Sequence, residues 1–307
     1  MLKHRVITGV TVCVVVFGTL FFCPAWVHLV LLAAVFALAQ QEWAGIARAA
    51  GFRHNSRAAA GLGAALLLAM ALESPAAASR FAGIRAGEAV AAAFDRMPPS
   101  LFILAAAPAV LLALGVLQRR TDKALEAFAV SSAGFWYVAV PLSFLVRLAF
   151  EFPVRADGAT NYTGRILLLL FIVLVKTSDI GAYAAGCLWG RRKLIPSVSP
   201  AKTVEGLCGG YALSLLSGVV FWAVLKFGFG DGRLGQLEFP LVHALALPPL
   251  MTTAGVLGDL AESLLKRSVG VKDSSSRFPG MGGALDILDS LLFAAPFMYA
   301  YAVWFIR

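Results

Sequence analysis

The chain has 307 residues, of which 60% are hydrophobic and 14% are charged, whereas soluble domains are about half apolar and roughly a quarter charged. With a mean hydropathy of +0.81, this composition excludes a soluble protein for most of the chain and indicates a polytopic integral membrane protein. The net charge of +9 is explained by cationic loops against an anionic lipid bilayer. We expect no nucleic acid partner, because no basic segment is interleaved with aromatic residues.

Nine apolar runs are candidates for membrane-spanning helices, which need about 20 mostly apolar residues. The run 58–72 is the shortest, and the alanine-rich segment 83–94 is too polar to span and predicts an interfacial helix. The predicted fold is therefore all-α, with about nine transmembrane helices. The runs are residues 6–22, 27–46, 58–72, 101–117, 128–148, 166–188, 206–227, 241–257 and 285–306.

The first run begins like a signal peptide, with Lys3 and Arg5 before an apolar stretch. No small-x-small cleavage site follows it, so we predict an uncleaved first span rather than a removed leader. The cysteines lie in or beside apolar runs and form no CxxC pair, which predicts inert thiols rather than metal ligands or disulfides. They are Cys13, Cys23, Cys187 and Cys208.

The distribution of basic residues predicts which side of the membrane each loop faces. With the N-terminus in the cytoplasm, the cytoplasmic loops receive 16 of the 26 Lys and Arg residues and the opposite loops receive 9, with Lys176 inside a span. The positive-inside rule therefore favours a cytoplasmic N-terminus. The same assignment places the loops around Arg191 and Lys272 on the cytoplasmic side.

Two polar segments interrupt the apolar background in the second half of the chain. Lys176 and Asp179 lie inside the run 166–188, and an ionised group in a span indicates a functional site; a structural ion pair three residues apart on one helical face is the alternative. Downstream, Ser199 and Pro200 predict a helix N-cap and first helical residue, with Lys202 and Thr203 in the first turn. That segment predicts a phosphate site, or else an ordinary capped helix.

The third polar segment is the richest in charge. Four polar side chains between Gly258 and Arg267 share one helical face because of their i, i+3, i+4, i+7 spacing; they are Asp259, Glu262, Ser263 and Lys266. A glycine-rich turn then precedes a helix that carries Asp286 and Asp289. Carboxylates beside basic groups predict Mg²⁺ bound to a polyphosphate, and a glycine-rich turn lets backbone N–H groups approach phosphate. A network of surface ion pairs is the alternative.

These motifs, in this order, resemble the bacterial phosphatidate cytidylyltransferase family. The family's S-D-x-G-A-Y element matches Ser178 to Tyr183, S-P-x-K-T-x-E-G matches Ser199 to Gly206, and G-D-L-x-E-S matches Gly258 to Ser263. The pattern S-x-x-K-R-x-x-x-x-K-D, the Pro-Gly-His-Gly-Gly turn and L-D-R-x-D-S match Ser263 to Ser290. In the N-terminal half the resemblance is limited to hydropathy and to Glu42-Trp43. Met281 replaces the family's usual His, and Ile287 replaces its usual Arg.

The resemblance implies transfer of CMP from CTP to phosphatidic acid, which yields CDP-diacylglycerol and pyrophosphate. It implies an enzyme of the inner (cytoplasmic) membrane whose active site faces the cytoplasm, with Mg²⁺ as cofactor. The implied catalytic residues are Asp179, Lys202, Asp259, Lys266, Arg267, Lys272 and Asp273. The implied CTP-binding residues are Ser199, Lys202, Thr203, Gly280, Gly282 and Gly283, and the implied metal ligands are Asp259, Asp273, Asp286 and Asp289.

The expected organisation is an N-terminal transmembrane region, residues 1–160, followed by a catalytic transmembrane region, residues 161–307. Two alternative functions stay open at the level of sequence. One is the same reaction on an ether-linked isoprenoid lipid phosphate. The other is a cation-coupled transporter, for which the ionisable residues at membrane depth are the support. A homodimer is compatible with each of these predictions.

Overall fold

The computed structural model describes residues 2–74, 97–118, 121–151, 163–228 and 239–306, and within them the chain is almost entirely helical. Short π-helical segments join α5 to α6 (Phe135–Ala139) and extend α8 (Val224–Gly228) and α10 (Ala302–Ile306). The helices are α1 (Leu2–Phe22), α2 (Ala25–Ala49), α3 (Ser56–Leu72), α4 (Pro99–Leu117), α5 (Ala124–Gly134), α6 (Val140–Phe150), α7 (Thr163–Trp189), α8 (Val204–Ala223), α9 (Leu241–Ser268) and α10 (Ala284–Tyr301). Strands β1 (Lys193–Ile195) and β2 (Ser199–Thr203) form an antiparallel hairpin between α7 and α8.

Seven helices of the described residues are long and apolar enough to cross a membrane. They are Trp26–Ala49, Pro99–Leu117, Ala124–Phe150, Thr163–Trp189, Val204–Gly228, Leu241–Ser268 and Ala284–Ile306. This result confirms the prediction of an all-α polytopic membrane protein, and the number of about nine spans stays a prediction for the whole chain.

Two of the nine predicted runs, the first and the third, are not among these seven helices. Helix α3 has 17 residues, which at 1.5 Å per residue gives about 26 Å, less than the ~30 Å hydrocarbon thickness of a bilayer. The first run lies within α1, some side chains of which lie outside the described part of the structure. The interfacial helix predicted at 83–94 lies outside the described residues.

The chain divides into two compact units. Unit 1 comprises Met1–Val154 and Val269–Leu285, and unit 2 comprises Arg155–Ser268 and Asp286–Arg307. The segment 269–285 therefore belongs to the same unit as the N-terminal helices, although it lies near the C-terminus of the sequence. The division of the chain into regions 1–160 and 161–307 stays a prediction.

Helix α2 is fixed within unit 1 by two aromatic side chains. The Trp43 Nε1 atom donates a hydrogen bond to the Val130 carbonyl at 3.2 Å. Gly134 leaves room for the indole, because a Cβ there would fall 2.6 Å from Trp43 Cδ1. On α3, a Cβ on Gly63 would fall 2.5 Å from Phe36 Cζ of α2. The face of α2 that carries these aromatic residues is therefore closely packed against its neighbours.

In unit 2, α7 and α8 approach each other through glycines. A Cβ on Gly181 would fall 2.5 Å from the Gly209 carbonyl oxygen, and one on Gly206 would fall 2.7 Å from the Ala182 carbonyl oxygen. Such close backbone contact is the usual way in which membrane helices associate, since lipid provides no hydrophobic force between them. Gly258 of α9 packs in the same way against the Asp289 carbonyl of α10.

The start of α8 corrects one sequence prediction. Ser199 and Pro200 are not the cap and first residue of the helix, because both lie in strand β2 and the helix begins at Val204. The N-cap is Thr203, whose Oγ1 accepts a hydrogen bond from the Gly206 amide at 3.1 Å. A β-branched residue with a hydroxyl suits both roles, since it favours the extended backbone and supplies the capping oxygen.

Candidate active site

The β-hairpin presents Lys202 to α9. Its Nζ atom lies 2.9 Å from Asp259 Oδ2, so the two side chains form an ion pair. Glu205, in the first turn of α8, accepts hydrogen bonds from the Arg191 amide at 3.0 Å and the Arg192 amide at 3.1 Å. The beginning of the hairpin and the beginning of α8 are thereby held together, which fixes the position of Lys202 between them.

A second lysine lies between two carboxylates. Lys266 is 8% exposed and pairs with Glu262, one helical turn earlier on α9, at 3.3 Å. It also forms a short contact with Asp286 on α10. The predicted shared face of α9 is confirmed by this pair and by the hydrogen bond from the Ser263 hydroxyl to Asp259 Oδ1. Lys266 therefore joins α9 to the first turn of α10.

The third lysine joins α7 to α10. Lys176 Nζ lies 3.2 Å from Asp179 Oδ2 and donates to the Ile287 carbonyl at 2.9 Å and to Ser290 Oγ at 3.1 Å. The Ser290 hydroxyl in turn donates to Asp179 Oδ2 at 3.2 Å. The ion pair between Lys176 and Asp179 that the sequence suggested is therefore present. It is not isolated, because Ser290 and the Ile287 carbonyl also bind to it.

Two buried carboxyl groups of unit 2 lie near each other. Glu262 is 1% exposed and Asp289 is 9% exposed, and Asp289 acts electrostatically on Glu262. Asp259 and Asp179 also act electrostatically on Asp289, with Lys176 opposing them. Close carboxylates repel each other strongly in a medium of low polarity. This cluster of acidic groups therefore has a strong affinity for positive charge.

The other predicted site residues lie outside these ion pairs. Arg267 is exposed at the end of α9. Lys272 and Asp273 are exposed and belong to the segment of unit 1. Ser199 lies at the start of β2, and the Thr203 hydroxyl is occupied as the cap of α8.

The glycine-rich turn is a tight loop within unit 1. Gly280 and Gly282 have φ values of 79° and 85°, a region that favours glycine. The Phe278 amide donates to the Gly282 carbonyl at 2.8 Å, and the Gly282 amide donates back to Phe278 at 3.1 Å. Gly283 packs against Ser274 and Glu42 so closely that a Cβ there would collide with both. The predicted role of these glycines in CTP binding stays a prediction.

Glu42 is a buried carboxylate that the predicted set leaves out. Its carboxylate is 3% exposed and accepts hydrogen bonds from the amides of Ala284 at 3.0 Å and Leu285 at 2.8 Å. It also accepts from the hydroxyls of Ser274 at 3.0 Å and Ser275 at 2.7 Å. The sequence does carry a signal for it, since an ionisable residue inside an apolar run indicates a functional role.

The donor groups of unit 2 fit a magnesium ion. Among the described residues, no three His, Cys, Asp or Glu side chains form a ready-made metal centre. Magnesium does not require one, since it usually binds one or two carboxylates and takes its other ligands from substrate phosphates and water. Asp259, Asp286 and Asp289 supply hard oxygen atoms next to the buried Glu262, which is the donor chemistry that this ion prefers.

Comparison with known proteins gives the chain a family. Residues 3–305 match the cytidylyltransferase family. A phosphatidate cytidylyltransferase from Bacillus subtilis is 34% identical over 62% of this chain and 65% of its own length. Proteins of the same name from Haemophilus influenzae (37% identical, 57% of this chain, 62% of the relative) and Pseudomonas aeruginosa (38%, 45% and 47%) are also similar.

The aligned regions cover less than two thirds of the length of each of these relatives. The family match, by contrast, extends over nearly the whole chain. It includes all of the lysines and carboxylates of unit 2 described above. The chain therefore belongs to the cytidylyltransferase family.

Proposed function

We propose that this protein transfers CMP from CTP to phosphatidic acid and so makes CDP-diacylglycerol for phospholipid synthesis. The observation that carries the proposal is the polar cluster of unit 2. It brings three lysines and five carboxylates from the β-hairpin and three apolar helices together. All of them except Lys176 lie in the motifs by which the chain resembles phosphatidate cytidylyltransferases. The cluster comprises Lys176, Asp179, Lys202, Asp259, Glu262, Lys266, Asp286 and Asp289.

The reaction requires little acid or base chemistry. A phosphate oxygen of phosphatidic acid forms a bond to the α-phosphorus of CTP, and the bond from that phosphorus to the β-phosphate oxygen breaks. Pyrophosphate leaves with the electron pair. Because the attacking phosphate is already an anion near neutral pH, the obstacles are the mutual repulsion of the anions and the charge that develops on the leaving group. Positioning and electrostatic stabilisation therefore dominate catalysis.

The lysines are suited to bind the phosphates. Lys202 and Lys266 are each held by carboxylates. Their side chains are therefore already ordered, so that less conformational entropy is lost when a phosphate binds. Lys176 is held by the Ile287 carbonyl and by Asp179, so its charge orients the first turns of α10. For Arg267, Lys272 and Asp273, and for the glycines of the turn, the resemblance of the motifs is the support for a role in binding CTP.

The carboxylates are suited to hold Mg²⁺. Asp286 and Asp289 lie three residues apart on one face of α10, and Asp259 is close enough to act on Asp289 electrostatically. The bound ion would neutralise charge on the triphosphate and on the departing pyrophosphate. Asp273 is assigned as a further ligand by resemblance of its motif.

The membrane explains why a nucleotidyl transferase is built from spanning helices. The acyl chains of phosphatidic acid remain in the bilayer while its phosphate reaches the polar cluster. CTP and pyrophosphate exchange with the cytoplasm, and we place the protein in the inner membrane with its active site on the cytoplasmic side. The excess of basic residues in the predicted cytoplasmic loops supports this orientation. Neither the transporter nor the isoprenoid-lipid alternative gains support from the family match.

The test is nucleotide turnover by the purified protein in lipid nanodiscs. We expect pyrophosphate and CDP-diacylglycerol to form from CTP when phosphatidic acid and Mg²⁺ are both present, and neither to form when either is omitted. ATP and GTP serve as control nucleotides. Turnover with an ether-linked isoprenoid phosphate but not with phosphatidic acid would change the substrate, and a complete lack of CTP turnover would contradict the proposal.

A further inference from the structure

The Glu42 carboxylate is the common acceptor for a segment that has no regular structure of its own. Ser274 and Ser275 donate to it through their hydroxyls, and Arg277 contributes an ion pair at 3.8 Å. Ala284 and Leu285 donate to it through their backbone amides. One side chain of α2 thereby fixes both ends of the turn between α9 and α10.

Two of these bonds give Glu42 the role of a helix cap. Helix α10 begins at Ala284, so the amides of Ala284 and Leu285 are among the first four of the helix and have no partner within it. A carboxylate at this position satisfies them and also interacts favourably with the positive end of the helix dipole. Since the cap comes from α2 and not from the preceding residue, the position of α2 determines where α10 begins.

Helix α2 is a firm support for this cap. Trp43, the next residue, is bound to the Val130 carbonyl and packed into the space that Gly134 leaves. The Glu42 carboxylate also has little room to move, because it lies against Gly283. A side chain at position 283 would collide with it. The start of α10 is therefore tied to a well-packed helix through a carboxylate in a closely fitted pocket.

We propose that Glu42 is a positioning residue for the reaction, because it fixes the start and rotation of the helix whose first two turns carry Asp286 and Asp289. The inference rests on the proposed function and adds to it a residue of the N-terminal half of the chain. The groups in contact with Glu42 are those of the segment 274–285. Its effect reaches the reaction through the two aspartates, and a displacement of about 1 Å in such groups is enough to cost ~100-fold in rate.

The test compares Glu42→Gln with Glu73→Gln. Glutamine has the shape of glutamate but only one accepting oxygen, so it cannot satisfy four donors. Glu73 is a matched control, because it caps α4 in the same way, accepting from the Ser100 amide at 2.6 Å and its hydroxyl at 2.7 Å. The readouts are CTP turnover, the apparent Mg²⁺ requirement, melting temperature and the rate of trypsin cleavage after Lys272 and Arg277.

For Glu42→Gln we expect faster trypsin cleavage and a several-fold higher Mg²⁺ requirement. Turnover should fall by at least about tenfold, which is less than the ~100-fold loss that a 1 Å displacement can cause. Glu73→Gln should leave turnover, Mg²⁺ requirement and cleavage within about twofold of wild type, since its cap is on another helix. A merely structural role for Glu42 would lower the melting temperature without changing the Mg²⁺ requirement of the folded enzyme. Wild-type turnover and Mg²⁺ requirement in Glu42→Gln would overturn the proposal.

Two further comparisons keep the outcomes distinct. The double variant Ser274→Ala/Ser275→Ala removes the hydroxyl donors and leaves the cap on α10 intact. It should be cleaved faster than wild type and lose less turnover than Glu42→Gln; cleavage at the wild-type rate would contradict the anchoring role of Glu42 even if Glu42→Gln does not fold. If wild-type protein makes no CDP-diacylglycerol, the proposed function fails, whereas failure of the Glu42 proposal requires active wild-type enzyme.

Discussion

The proximity of the Glu262 and Asp289 carboxyl groups is the most unusual feature at the scale of single residues. Both side chains are buried, and a third and a fourth carboxylate, Asp259 and Asp286, act on them. A protein that needed this region only for stability would gain by replacing one of these acids, since buried charges are costly unless fully paired. Lys266 and Lys176 offset part of this charge, and we propose that a bound cation offsets the rest.

Asp289→Asn tests this explanation directly. Asparagine keeps the shape and one oxygen of the side chain but removes its charge. We expect turnover to fall by about 100-fold or more, as for other electrostatic groups at a transferring phosphate, and the apparent Mg²⁺ requirement to rise. The melting temperature should stay the same or increase, because the repulsion between Glu262 and residue 289 is relieved. Mg²⁺-dependent formation of CDP-diacylglycerol and thermal unfolding in detergent measure the two effects.

The control for this substitution is Asp122→Asn. Asp122 is exposed and pairs at 3.4 Å with Arg53 on the surface of unit 1, where an ion pair contributes little to stability. Neither turnover nor melting temperature should change. A structural role for Asp289 predicts the opposite pattern, namely a lower melting temperature with normal activity per folded molecule. Near-normal turnover of Asp289→Asn at low Mg²⁺ would show that Asp289 is not a metal ligand.

At the scale of elements, the contact between α7 and α8 supports two parts of the site at once. Helix α7 carries Lys176 and Asp179, and α8 follows directly on the strand that carries Lys202. Their glycines allow the two backbones to touch, and the cap at Thr203 fixes where α8 begins. The distance between the two polar segments therefore depends on how closely these helices pack.

Gly181→Ala should separate the helices and destabilise the protein. The added Cβ would fall 2.5 Å from the Gly209 carbonyl oxygen and 2.8 Å from Leu213 Cβ, and such overpacking costs about 1–3 kcal/mol. Gly115→Ala on α4 is the matched control, because nothing lies within 4 Å of its Cβ position. We expect a lower melting temperature only for Gly181→Ala. Equal melting temperatures of the two variants would contradict tight packing of α7 on α8.

The elements also show what the sequence can and cannot predict. Long apolar runs follow from the thickness of the bilayer, and the shared face of α9 follows from helical periodicity, so both could be predicted. The start of α8 could not, because Ser199-Pro200 satisfies the local rules for a helix start while pairing across the hairpin makes the same residues a strand. An ionisable residue in an apolar run singles out Glu42, but the groups that bind it could not be predicted, since they lie more than 230 residues away in sequence.

The arrangement of the charged loops is a property of the whole molecule. Helices α8 and α9 both qualify as spans, so the loop that contains Arg191 and the segment 269–283 should lie on the same side of the membrane, with Gly228 on the opposite side. Up to Arg191, four of the seven candidate spans have been crossed. Adding both α1 and α3 would give six crossings, which is also an even number. Either count places Arg191 on the side of the N-terminus, which the basic residues assign to the cytoplasm.

Single cysteines at Arg191, Ser276 and Gly228 test this topology in a background that lacks the four native cysteines. All three positions are exposed, so differences in labelling will report sidedness and not burial. With a membrane-impermeant maleimide, we expect Gly228→Cys to react in intact cells, and Arg191→Cys and Ser276→Cys to react only after the cells are broken. If only one of α1 and α3 spans, the number of crossings becomes odd and the N-terminus lies on the opposite side from Arg191. Labelling of Arg191→Cys or Ser276→Cys in intact cells would contradict a cytoplasmic site, because CTP could not then reach the polar cluster from the cytoplasm.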